Sequence, residues 1–235
     1  MRSRNFRTRP IDEIRFQIRR FKALRRLRQF HDKPRTIEET VDWAINFGSR
    51  KEFSIHTIQI RDEILALART VSALRPKTIL ELGTAFGGTL LIWSQLASDL
   101  VISCDIIDKT VQSDLYRKFP PPGSRCTVEI LTGDSHSPEF RKRVAGVLGE
   151  RKADFLFIDG DHTEAGVTAD YHDYRDMVKP GGIIAFHDIV EKQISLNSRV
   201  YHFWNRLRQD ADTEEYVKDH DQVGYGIGVI RVPER

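Results

Sequence analysis

The feature that most constrains this chain is an alternation that begins at Thr78. Short apolar runs of strand length recur there, separated by longer stretches with helical spacing. The strand-like runs are 78–82, 100–106, 127–131, 154–158, 183–186 and 228–232. The helix-like runs are 89–97, 111–119, 138–148, 165–178 and 198–208. Strands that alternate with helices call for crossover connections, and hence for a parallel sheet covered on both faces. The expectation is an α/β, doubly wound sheet, in which polar groups at the carboxyl ends of the strands converge on a ligand crevice. Ser137-Pro138 forms a good helix start, and Lys179-Pro180-Gly181-Gly182 reads as a sharp helix stop.

Ahead of the alternation lie three helical segments. Ile11, Ile14, Ile18, Phe21, Leu24 and Leu27 recur at helical spacing with arginines between them, the pattern of a basic amphipathic helix. Thr36 opens a second helix through a capping box with Glu39, and Gly48 suits its exit. A third is expected over 58–74, stopped before Pro76. Up to Arg35 the chain holds thirteen Lys/Arg against three Asp/Glu, although its formal net charge is only +3. A basic helical arm, taken as residues 1–54, is thus attached to a mildly acidic body, residues 55–235.

Composition excludes several classes. Hydrophobic residues at 40% and charged residues at 30% are too balanced for a disordered chain. No apolar run approaches membrane-span length, and no apolar signal-peptide core opens the sequence. The two cysteines, Cys104 and Cys126, form no Cys-x-x-Cys pair, so a structural zinc site is not expected. The expected setting is cytoplasmic, with the basic helix leaving room for a place at a membrane periphery.

Two constellations carry the chemistry. In the first, Glu81-Leu82-Gly83-Thr84-Ala85-Phe86-Gly87-Gly88 joins the first strand to its helix. Glycines there let the backbone approach a ligand closely at a helix N-terminus. A dinucleotide fingerprint needs a glycine where Ala85 stands, so that motif fails. Asp105 closes the next strand, where an acid can accept ribose hydroxyls, and Gly133-Asp134-Ser135 closes the third. In the second, Asp159-Gly160-Asp161-His162 ends the fourth strand and His187-Asp188 ends the fifth. Carboxylates and imidazoles meeting at one crevice suit a divalent cation or an acid/base pair. His31, His56, His136, His172, His202 and His220 lack such company and read as ordinary surface or hydrogen-bonded histidines.

The Glu-x-Gly-x-x-x-Gly loop resembles motif I of the class I S-adenosylmethionine-dependent methyltransferases. The resemblance implies a Rossmann-like sheet of order 3-2-1-4-5-7-6, with the seventh strand antiparallel and N-terminal helices added. It implies S-adenosyl-L-methionine as cofactor, bound around Glu81, Gly83, Thr84, Gly87, Gly88, Asp105, Asp134 and Ser135. The ends of the fourth and fifth strands look like the metal-dependent small-molecule O-methyltransferases, in the branch of cephalosporin-tailoring, rhamnosyl and macrolide-sugar enzymes. In that family an acid at the Asp159 position binds a divalent cation, and the pair at His187 and Asp188 completes the protein ligands. Catechol-type relatives place a catalytic lysine where His162 stands, and imidazole titrates near neutrality, which suits a general base. One departure matters. An oxygen ligand is usual at the His187 position, and Mg²⁺ prefers oxygen, whereas imidazole suits Mn²⁺, Fe²⁺, Zn²⁺ or Ni²⁺. His187 is therefore either a ligand to a metal other than Mg²⁺ or a base, and a metal-free site stays open.

The leading expectation is methylation of a small-molecule hydroxyl such as a sugar, phenol or natural product. Its rivals are a metal-free methyltransferase acting on nitrogen or nucleic acid, and a non-catalytic module that keeps the cofactor fold. The missing Asn/Asp-Pro-Pro-Tyr/Phe motif argues against base-amine chemistry, and no nucleic-acid-binding motif accompanies the basic helix. That helix suits an anionic membrane surface, a protein partner or packing within a homo-oligomer.

Overall fold

The computed structural model describes residues 10–234. Four arginines of the basic arm, at positions 2, 4, 7 and 9, lie outside the described residues.

Three helices come first: α1 (Pro10–Phe30), α2 (Ile37–Ile45) and α3 (Arg61–Ala73). α2 begins as the sequence predicts. Thr36 Oγ1 accepts from Glu39 N at 3.1 Å and Glu39 Oε2 accepts from Thr36 N at 3.0 Å, a reciprocal satisfaction of orphan donors. It closes at Asn46 rather than near Gly48. α3 starts three residues later than periodicity suggests, with Ile60 at its N-cap. Residues Ile58 and Gln59 are left outside the helix, in a segment that reaches the ends of the strands.

The sheet follows: β1 (Thr78–Leu82), β2 (Leu100–Asp105), β3 (Thr127–Thr132), β4 (Ala153–Ile158), β5 (Val178–His187), β6 (Thr213–Tyr216) and β7 (Ile227–Arg231). Its order is β3-β2-β1-β4-β5-β7-β6, with the first five strands parallel and β7 antiparallel to β5, as expected. The connecting helices are α4 (Gly88–Leu96), α5 (Thr110–Tyr116), α6 (Pro138–Leu148), α7 (Glu164–Tyr174) and α8 (Val200–Leu207). Successive side chains of a strand point to opposite faces, and two cores follow. Ile79, Val101, Phe155 and Phe157 join Trp93 of α4 and the inner residues of α1 to α3 on one face. Leu80, Ile102, Leu156 and Ile158 join Phe140, Tyr174 and Trp204 of α6 to α8 on the other.

Lys179-Pro180-Gly181-Gly182 does not stop a helix. α7 ends earlier, through a 3-10 turn at Arg175–Met177, and the Pro-Gly-Gly segment belongs to β5. Pairing with β4 jumps from Ala153↔Val178 to Phe155↔Ile183. The strand thus absorbs extra residues as an irregularity, where Pro and Gly are tolerated in sheets. The short strand β6 closes the edge, pairing antiparallel with β7. No described helix is long and apolar enough to cross a membrane.

Candidate active site

At the carboxyl end of β1 the chain turns sharply because glycine permits it. Gly83 has φ +105°, and a Cβ there would lie 2.1 Å from the Asp159 carbonyl oxygen. A Cβ on Gly88 would meet the backbone of His56 at 2.2 Å. These glycines therefore admit other segments of the chain, and the crevice beside them is shaped by that close packing. Glu81 lines neither of the cavities described below. It is wholly buried, accepting from Trp93 Nε1 at 2.8 Å and from Ser103 Oγ at 2.5 Å. Burial pushes its carboxyl up to about 7 despite those hydrogen bonds. Glu81 thus braces β1 against β2 and α4. Thr84, hydrogen-bonded to Ser103 at 2.6 Å, is equally buried.

Asp105 ties the loop to the end of β2. Its Oδ2 accepts from Ala85 N at 2.8 Å and lies 3.2 Å from Lys109 Nζ, while its Oδ1 accepts from Ile107 N at 2.7 Å. A carboxylate offers about four lone-pair directions, so these contacts leave room for one further donor. At the end of β3, Asp134 Oδ1 accepts from His136 N at 3.0 Å. Gly83, Ala85, Asp105, Asp134, Ser135 and His136 line a cavity of about 810 Å³ over the ends of β1 to β3. Gly87 lines neither this cavity nor the second one.

The ends of β4 and β5 bring Asp159, His162, His187 and Asp188 together. Asp159 Oδ1 lies 3.0 Å from His187 Nδ1 and 3.2 Å from His162 Nε2. His162 Nδ1 lies 2.7 Å from Asp188 Oδ2. One ligand atom from each of Asp159, His162 and His187 falls within 4.8 Å of the others. His187 is 6% exposed, and its Nε2 is buried with no hydrogen-bond partner. Asp188 sits at φ +64°, a left-handed conformation in which Asp is less costly than most residues. Its Oδ1 accepts from Tyr225 N at 3.1 Å, which fixes the carboxylate toward His162.

Electrostatics follow the geometry. Burial works to raise the Asp159 carboxyl, but the His187 charge and the hydrogen bonds of both histidines outweigh it and hold it well below the carboxylate range. The hydrogen bonds to Asp159 and Asp188 push the His162 imidazole up to about 10, against its burial. Burial acts to lower His187, and Asp159 reverses the sign and raises it. Each carboxylate thus favours the charged form of the imidazole it faces, and each imidazole that of its carboxylate.

Several members of the site carry no signal in the sequence. Gln59, in the segment before α3, donates from Nε2 to Asp159 Oδ2 at 2.9 Å. His56 stacks on Phe86 with ring centroids 4.1 Å apart. With Gln59, Gln193 and Tyr225 it lines a second cavity of about 230 Å³. His136, read as an ordinary histidine, lines the first cavity, 3.4 Å from the fully buried Asp170 of α7. Asp159 and His162 belong to the walls of both cavities, with Gly83, Ala85 and Ser195.

Residues 80–189 match the family described as a methyltransferase domain. The chain is 27% identical over 169 residues to uncharacterized protein y4gI of Sinorhizobium fredii, an alignment covering 68% of this chain and 18% of that protein. The chain thus spans less than a fifth of this curated relative's length. Among solved structures, the Bacillus cereus O-methyltransferase in complex with SAH superimposes with a TM-score of 0.58 at 17% identity, covering 85% of this chain and 92% of that one. MycE methyltransferase from the mycinamycin biosynthetic pathway, solved with Mg, SAH and mycinamycin VI, gives 0.57 at 18% identity, covering 87% and 55%. The O-methyltransferase TomG from Streptomyces achromogenes, solved with SAM, gives 0.54 at 12% identity, covering 85% and 91%.

Proposed function

We propose that this chain is a class I S-adenosylmethionine-dependent methyltransferase that methylates a hydroxyl group of a small molecule. The observation that carries this reading is the shared wall: Asp159 and His162 border both the large cavity over β1 to β3 and the smaller one beside it. A methyl donor in the first and an acceptor in the second would meet at a carboxylate–imidazole pair. Gly83, Asp105, Asp134 and Ser135 would position the donor. The small cavity mixes polar groups, Gln59, Gln193 and Tyr225, with the apolar Ile58 and Ile194, which suits a hydroxyl-bearing acceptor with apolar parts.

In the reaction, the acceptor oxygen attacks the sulfonium methyl carbon in line. The carbon–sulfur bond would break, S-adenosylhomocysteine would depart, and the hydroxyl proton would pass to the neutral form of His162. Asp159 and Asp188 orient that imidazole from either side. Holding both reactants in near-attack geometry supplies much of the rate.

Asp159 and His187, with His162 or Asp188, would hold a divalent cation. The convergence of one ligand atom each from Asp159, His162 and His187 supports this, with His187 presenting Nδ1 to Asp159 and Asp188. A set mixing imidazole with carboxylate suits Mn²⁺, Fe²⁺, Zn²⁺ or Ni²⁺ better than Mg²⁺. When bound, such a cation lowers the pKa of a coordinated hydroxyl. The placement of His162 between Asp159 and Asp188 supports a second reading, in which its imidazole, once neutral at high pH, works as base without a metal.

The test is methyl transfer from labelled S-adenosylmethionine to matched small alcohols, phenols and amines, with and without a chelator. Label on oxygen is expected, and loss with chelator selects the metal-assisted form. Label only on nitrogen, or no transfer to any hydroxyl, would overturn the reading.

A further inference from the structure

α1 carries two apolar faces. Its inner face, Ala23, Leu27 and Phe30, is buried in the core with Phe16 packed against it. Taking 100° per residue and Leu27 as reference, these four lie within about 60° of one another's side of the helix. Ile14, Ile18 and Phe21 fall about 120–180° away by the same reckoning, on the side remote from the protein. They are 59%, 48% and 62% exposed. An ordinary surface helix is polar on that side, so this second stripe asks for a partner.

The charges around the stripe narrow the partner's chemistry. From Ile14 to His31 the sequence contains no acid. Arg19 and Arg20 are engaged by Glu52 and Asp114, and Arg26 turns inward to the Phe47 carbonyl and the Trp43 ring. Arg15, Lys22, Arg25 and Arg28 are exposed beside or at the end of the stripe. Among the described residues none of these four has an acidic partner within ion-pair distance. Packing this helix against its own copy would set these cations against the same four, at a cost in like-charge repulsion. A nucleic acid would meet an apolar centre where it needs donors. Three side chains are also too few for the roughly 800 Å² per partner of a standard protein interface.

We propose that α1 docks the protein on an anionic lipid surface, its Ile14–Ile18–Phe21 stripe entering the acyl boundary and its cations meeting lipid phosphates and carboxylates. The helix lies in the interface plane without spanning it. Long basic side chains keep their charged ends in the headgroup layer while their stems remain apolar. Apolar burial and headgroup attraction act together, each Lys or Arg near the surface adding about 1 kcal/mol.

The experiment uses the full chain and sedimentation with vesicles of phosphatidylcholine alone or with about a third phosphatidylserine. Binding is expected only to the anionic vesicles, falling steeply as salt rises. The Ile18→Ser/Phe21→Ser pair should lower the partition coefficient by at least about tenfold, and Lys22→Gln/Arg25→Gln by roughly tenfold or more. Both pairs lie on the outer face, so thermal midpoint and S-adenosylhomocysteine affinity should stay unchanged. Failure to bind anionic vesicles overturns the proposal, as does binding that the serine pair leaves intact, which would be charge adhesion alone. A dimer that the serine pair dissociates, or tighter binding to RNA than to vesicles, assigns the face to another partner and overturns it equally.

Discussion

The two halves of the crevice are built differently. Over β1 to β3 the shape comes from backbone: a left-handed glycine at 83, loop amides tied to Asp105, and a turn closed by Asp134. Over β4 and β5 it comes from side chains that converge from separate segments, Gln59, Asp159, His162, His187 and Asp188, with the Tyr225 amide behind them. The first half is a cradle whose form depends on local conformation. The second is an ionic cluster whose form depends on every partner being present. Changes in the first half should therefore act on donor binding, and changes in the second on chemistry.

The largest separation is expected from Asp159→Asn. It removes the charge that both histidines face, and methyl transfer should fall by about 10²–10⁴-fold, the usual weight of general acid–base assistance. S-adenosylhomocysteine affinity, measured by calorimetry, should change little. Equal loss of both would erase the division between the halves.

The pH profile tests the cluster next. His162 is held protonated up to about 10, and only neutral imidazole can take a proton. In chelator, transfer should rise by up to about tenfold per pH unit above neutrality, toward pH 10. Stability should move the other way. A histidine raised above its ordinary 6.5 stabilises the fold fully below that value and loses the contribution as pH rises through about 10. A rate already flat at neutral pH in chelator would exclude His162 as the unaided base.

Gly83→Ala probes the junction of the halves. Its Cβ would run into the Asp159 carbonyl at a φ that side chains rarely adopt, costing about 1–3 kcal/mol in denaturant unfolding and weakening both functions. An unchanged midpoint would mean that β1 and β4 are not locked together there.

Asp105→Ala is the more local change. One charged hydrogen bond lost is about 1.5–3 kcal/mol, or one to two decades of S-adenosylhomocysteine affinity. Asp105 also pairs with Lys109, so Lys109→Met should be measured beside it. Weakening by Lys109→Met alone would show that the acid acts by holding the loop.

These differences explain what was legible in the sequence. The parallel sheet could be anticipated because strands alternating with helices need crossover connections, while its full order was implied by the resemblance of the Glu81–Gly88 loop to a known family. The Thr36–Glu39 box and the Ser137-Pro138 start are local, and both appear as expected. Pro180-Gly181-Gly182 misleads because helix-breaking chemistry also serves a strand irregularity. Asp159, His162, His187 and Asp188 could be grouped because adjacent strand ends must meet. Gln59 could not, since it approaches Asp159 from a hundred residues earlier and nothing in its local pattern distinguishes it. Glu81 stands in a loop motif, yet its side chain turns into the core, which alternation along β1 alone does not reveal.

The central claim is that donor and acceptor meet at the wall formed by Asp159 and His162. A crystal structure with S-adenosylhomocysteine, grown with Mn²⁺, tests it most directly. The account predicts the adenosine over β2 and β3 near Asp105 and Asp134, with the sulfur directed at Asp159 and His162 and toward the smaller cavity. A sulfur directed away from that pair, or an adenosine seated in the smaller cavity, would contradict it.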